Sequence, residues 1–222
     1  MHAKSSSTTV VGIDVGGTRK GFHTVALKDG KYLDHASFKE QEKDRTHLFE
    51  RIVSWCQGHG AQMIAVDAPC RWSTDGRCRP AERELAQKGI TCFATPKRET
   101  AVNHATGNFE WMRQGEALYQ ALGPTFPLAT ATPKRGQQCS FETYPHAITW
   151  HLRGGDADAR QKRTQRRALL EKAGINLTHL TNIDLVDAAL CALTAHHAAL
   201  EWECLPLGTV ESGLIIVPTR LK

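Results

Sequence analysis

The chain of 222 residues has no apolar run approaching the roughly 20 residues that a membrane-spanning helix needs. Its first residues, MHAKSSSTT, lack the apolar segment of a secretory signal and are expected to form a loose tail over residues 1–8. None of the seven cysteines belongs to a C-x-x-C pair, so neither a zinc ribbon nor a thioredoxin-like site is expected. Several lie inside apolar patterns, where a free thiol behaves as a small hydrophobe, and no histidine stands in a context that would activate one as a nucleophile. A reducing, cytoplasmic setting follows. Acids are missing from residues 160–167, RQKRTQRR, which carry five cations. Arg71, Arg77, Arg79 and Arg83 form a second basic cluster. Such clusters suit a polyanion, or else a solvated face.

What the sequence does have is a regular alternation of element signals. Val10–Val15 and Gly21–Leu27 read as strands separated by Gly16-Gly17, and Asp29-Gly30 marks a hairpin into Lys31–Phe38. Thr46–Gln57 has helical spacing. MIAVDAP is a short strand closing on Asp67. The segment 70–137 reads as an insertion of helices and loops, including RPAERELAQKG and a helix interrupted by Gly115. QCSFETYP is a strand candidate, Pro145 begins a helix, and RQKRTQRRALLEKAG is a basic helix ended by Gly174. NIDLVDAALCALTAHHAALE is the best helix, and SGLIIVP is a final strand. Strands and helices in this order predict an α/β domain with a mixed sheet.

The acids carry the chemistry. Asp14 and Asp67 each end an apolar strand, so adjacent parallel strands would place both carboxylates at one sheet edge, where open α/β proteins build their sites. Glu142 lies beside a strand and before a helix, where it suits either a metal or the helix dipole. Asp184 and Asp187 share a helix face, and Ala188, Cys191 and Ala195 extend that stripe. Thr181 and Asp184 have capping-box spacing, which would account for Asp184 alone. Unpaired acids repel at this spacing, and a divalent cation removes the objection. An oxygen-rich set of this kind selects Mg²⁺ or Mn²⁺.

The order GIDVGGTRKGF, AVDAPCRW, RCRPAERELAQKGI, FETYPHA, DLVDAALCAL resembles a bacterial and archaeal domain-of-unknown-function family of predicted nucleases of the RNase H fold. The resemblance runs from about Val10 to Pro218. It implies a single RNase H-like domain over residues 9–222, with a five-stranded mixed sheet flanked by helices. It also implies a metal-dependent nuclease with Asp14, Asp67, Asp184 and Asp187 at the metal site and Glu142 beside them. Arg83 and Glu84 match a further family motif. Lys20, Arg163, Arg166 and Arg167 are the candidate phosphate contacts on a DNA or RNA substrate. Two alternatives remain. Asp-x-Gly-Gly-Thr resembles the phosphate-binding turn of sugar kinases and actin-like ATPases, in which the N–H groups of Gly16, Gly17 and Thr18 would cradle phosphate. The same fold could also serve as a non-catalytic nucleic-acid-binding module.

Overall fold

A computed structural model describes residues 7–39 and 47–221. Most of the expected tail and the expected helix start at Thr46 lie outside the described residues. Seven strands form one sheet in the order β3-β2-β1-β4-β5-β7-β6. They are β1 (Thr9–Val15), β2 (Phe22–Lys28), β3 (Lys31–Phe38), β4 (Ala61–Asp67), β5 (Cys139–Glu142), β6 (Cys204–Thr209) and β7 (Gly213–Pro218). The parallel strands β1, β4, β5 and β7 form the centre, and β2, β3 and β6 run antiparallel to their neighbours. The order β3-β2-β1-β4-β5, with β2 alone reversed, is the RNase H-like arrangement.

Two strands exceed the five that the resemblance implied. The final strand β7 matches SGLIIVP, whereas β6 has no counterpart in the strand signals. Its Pro206 and its Gly208, at φ 94°, argue against a strand interior. Both are tolerated because β6 is the edge of the sheet. At the opposite end, Asp29 and Gly30 both adopt positive φ, as the tight hairpin between β2 and β3 requires.

Alternation along the central strands divides the core. Val11, Ile13 and Val15 of β1, with Ile64 and Val66 of β4, meet α1 (Leu48–Gly58) and α4 (Glu110–Leu122) on one face. Val10 of β1 and Met63 and Ala65 of β4 turn to the other face, under α7 (Ile183–Ala199). Asp14 and Asp67 share the parity of that second set, so both point to the α7 side. Helices α5 (Pro145–Leu152) and α6 (Lys162–Lys172) pack there too, and a 3₁₀ turn at Ala159–Gln161 precedes α6.

The segment 70–137 supplies α2 (Pro80–Gln87), α3 (Arg98–Val102) and α4. Helix α2 packs on β6 and α4 on α1. Gly115 is absent of side chain for a packing reason: a Cβ there would lie 2.6 Å from the Ala68 Cβ.

Helix α7 is buried from Leu185 to Ala199. A helix apolar on all sides is a core helix, and this one is centred over β1. Gly12 makes the close approach possible. A Cβ at Gly12 would stand 2.0 Å from the Ala188 carbonyl oxygen and 2.2 Å from the Ala192 nitrogen. Backbone cannot yield as a flexible side chain can. Gly12→Ala is therefore expected to destabilise the fold by about 3 kcal/mol or more in urea unfolding. Gly58→Ala, where an added Cβ meets nothing within 4 Å, should be neutral or slightly stabilising.

Candidate active site

Asp14 and Asp67 are register partners at the ends of β1 and β4. Neither carboxylate accepts a side-chain or backbone hydrogen bond or forms an ion pair with another described residue. Asp14 is buried and Asp67 half-buried. Burial raises the Asp14 carboxyl well above its ordinary value, and the charges of Asp67, Asp187 and Asp184 raise it further. Burial, then the charge of Asp187, pushes Asp67 up to about 8. The carboxylates of Asp14, Asp67 and Asp187 thus lie within one another's fields.

Helix α7 brings the other two acids. Its N-cap is Asn182, whose side chain accepts the Leu185 N–H at 2.8 Å. The capping box expected between Thr181 and Asp184 is not formed, because the helix begins one residue later. Asp184 instead accepts from Lys20 Nζ at 3.1 Å and stands 3.7 Å from His23 Nε2. Asp187, one turn deeper and buried, accepts from Arg166 Nη1 at 2.5 Å. Burial raises the Asp187 carboxyl, and Arg166 holds it back.

Glu142 departs from the expected cluster. It pairs in register with Val66, not Asp67, so its side chain starts from the opposite side of the sheet, although it lines a small hollow with Asp67 and its charge contributes to raising the Asp67 carboxyl. There it accepts from Arg79 through both guanidinium ends, at 2.9 and 2.6 Å, and from the Cys70 N–H at 2.8 Å. Arg79 also donates Nε to Glu82 at 2.8 Å. Burial works against the Arg79 charge, yet Glu142 and Glu82 outweigh it and raise its pKa above the ordinary arginine value. Glu142 is thus a neutralised structural group that clamps the loop after β4, not a bare carboxylate beside the aspartates.

The basic residues divide similarly. Arg166, expected as a phosphate contact, is buried against Asp187, and its Nε has no hydrogen-bond partner. Arg163 and Arg167 lie on another row of α6, where they donate to the carbonyls of Thr181 and Leu180 and line a separate hollow. Lys20 is exposed but engaged by Asp184. In the Arg83–Glu84 motif, Arg83 donates to the Cys78 carbonyl and Glu84 accepts the Gly208 N–H at 3.1 Å, which ties α2 to β6.

An open cleft of about 740 Å³ lies along the acid edge. Asp67, Asp187 and Arg166 line it, and Arg160 and Lys162, two of the five cations of residues 160–167, supply exposed charge. Residues 162 and 166 are one turn apart, so they share a face that residues 163 and 167 do not. A run of basic residues gives no sign of which row turns inward until the helix is docked. Asp14 adjoins Asp67 without lining the cleft.

The glycine turn offers little to a phosphate. The Gly16 N–H donates to the Gly21 carbonyl at 2.8 Å. The Thr18 N–H donates to Glu110 Oε2 at 2.9 Å, and the Thr18 hydroxyl donates to Glu110 Oε1. A carboxylate of the protein thus holds the place that the kinase-like reading gives to phosphate.

The aspartates provide hard oxygen donors and unneutralised negative charge, the chemistry that fits a divalent cation. As they stand, no three acid, histidine or cysteine side chains among the described residues form a ready metal cage. Arg166 and Lys20 draw Asp187 and Asp184 aside. In chelator, the raised Asp67 value has a definite consequence for stability. The native state holds the Asp67 proton to about pH 8, whereas an unfolded chain releases it near pH 4, so stability falls as pH rises through that window. Asp67→Asn should therefore unfold at a higher temperature than wild type at pH 8, by about 2–4 °C or more, with the gap closing towards pH 4. A gap independent of pH in thermal melts would contradict this.

No helix among the described residues is long and apolar enough to cross a membrane. No curated protein matches the chain. Among solved structures, the chain is similar to T. thermophilus RuvC in complex with a Holliday junction substrate, at 15% identity and a TM-score of 0.45, over 87% of this chain and 96% of that one. The family model described as "Protein of unknown function (DUF429)" matches residues 12–209, and the chain belongs to that family.

Proposed function

We propose that the protein is a metal-dependent nuclease that hydrolyses phosphodiester bonds of DNA or RNA, built as one RNase H-like domain over residues 9–222. The observation that carries this reading is the meeting of Asp14, Asp67 and Asp187 at one sheet edge, two of them without a cation partner. Asp14, Asp67 and Asp187 would hold Mg²⁺ or Mn²⁺, with Asp184 as a further ligand or a group orienting water. The chemistry supplied by two such ions is activation of water and stabilisation of the leaving oxygen.

The chain's own side chains account for the rest. Asp187 would be a metal ligand once its carboxylate is shared with or released from Arg166, and the Arg166 guanidinium, with its unused Nε donor, would then be available to a substrate phosphate. Arg160 and Lys162 on the cleft wall position the phosphate backbone without reading sequence. Glu142 contributes indirectly, because its pairing with Arg79 fixes the loop that leaves β4 just after Asp67. Binding should consequently weaken steeply with salt.

A panel of labelled DNA, RNA, hybrid and branched substrates, incubated with Mg²⁺, Mn²⁺ or chelator, tests the proposal. Cleavage should need the metal and fall to background in Asp187→Asn. Cleavage that survives this variant or the chelator would contradict it. Metal-independent binding with no cleavage would point to the non-catalytic module.

A further inference from the structure

Phe93 is 75% exposed, far more than any other large apolar residue among those described. A phenylalanine left in water forgoes about 1.5–3 kcal/mol of burial. Its ring meets Trp111 edge to face, with centroids 6.4 Å apart, and both rings line the cleft that holds Asp67 and Asp187. The segment that carries Phe93 is pinned on both sides. The Thr91 carbonyl accepts from the Tyr144 hydroxyl at 2.8 Å, and the Thr95 N–H donates to Glu82 Oε2 at 3.1 Å. Glu82 belongs to the buried Arg79 network, so the exposed ring is presented from a fixed base.

The same cleft is lined by the exposed Arg160 and Lys162 of the α6 approach. One cleft that combines an exposed aromatic face, cations and carboxylates matches a single strand of nucleic acid: a base stacks on the ring while its phosphates lie along the cations. Arg160 is already paired with Asp158 at 3.3 Å, but a purely apolar ligand would leave the exposed Lys162 and the open carboxylates without a role, and a helical peptide needs a longer apolar stripe than one exposed ring. Continuous duplex keeps its base faces covered by neighbouring pairs and offers nothing to stack. Resting on the nuclease reading, we infer that this cleft takes an unpaired nucleotide whose base stacks on Phe93 beside the reacting phosphate. The substrate class is then single-stranded, looped or branched nucleic acid, and unbroken duplex is a poor substrate.

Oligonucleotides containing 2-aminopurine, as DNA and as RNA, test this in the Asp187→Asn background, where the nuclease reading predicts no cleavage. Single strands should bind with quenched fluorescence. Phe93→Ala should abolish the quenching and weaken single-strand binding by about 5- to 150-fold, the range that corresponds to losing one stacked base. Phe93→Trp should restore both. Affinity for fully paired duplex of the same sequence should not change, and the DNA and RNA arms show which strand the cleft prefers. Nucleic-acid binding that Phe93→Ala leaves unaltered, or lowers equally for single strand and duplex, would overturn the stacking role and leave the nuclease reading standing. No binding of any DNA or RNA at low salt would overturn both. Because Phe93 is exposed, its replacement should not disturb folding, and an unchanged thermal melt serves as the control.

Discussion

Asp14 and Asp67 stand side by side at adjacent parallel strand ends, and no described residue pairs with either. Removing a carboxylate from water without a partner costs several kcal/mol, and two that face each other cost more. Much of the surrounding structure exists to keep them there. Gly12 admits α7 to van der Waals contact with β1, and that contact lowers Asp187 onto the same edge. A longer side chain at residue 12 would lift the helix and separate the acids.

The other buried acids throw this pair into relief. Glu82 and Glu142 share Arg79, and Asp187 has Arg166. Asp14 is the remaining buried carboxylate among the described residues, and it has no such arginine. A fold able to place an arginine beside each of three buried acids has left the strand-end pair open. Buried ion pairs add little net stability, but breaking one is costly, so the Arg79 network is better read as a rigid anchor than as a source of stability. It fixes Cys70 after β4, the start of α2 and the segment bearing Thr95. The exposed ring of Phe93 and the half-buried Asp67 are held by the same anchor from two sides.

Much of this arrangement could be read from residues alone, for identifiable reasons. Apolar runs that end in Asp14 and Asp67 fixed both strand ends, since a central parallel strand is apolar on both faces. Of the small residues Ala188, Cys191 and Ala195 below Asp187, the first two lie where α7 comes closest to β1 at Gly12, together with Ala192. Glu142 was misdirected because its orientation depends on pairing register: opposite Val66 it leaves by one face, and a shift of one residue would send it out by the other. The same dependence on tertiary placement separated Arg160 and Lys162 from Arg163 and Arg167. Arg166 counted as a surface cation until helix packing buried it. Strand β6 was hidden by Pro206 and Gly208, residues that only an edge position permits.

The most direct measurement is calorimetric titration of the protein at pH 7.5 with Mn²⁺ and with Mg²⁺, beside Asp14→Asn and Asp67→Asn. If the open carboxylate pair is a cation site, wild type binds the metal with release of protons from acids whose pKa burial has raised, and each variant loses that binding while remaining folded. Equal binding by all three proteins, or none by wild type, would contradict the assignment of the strand-end aspartates to a metal.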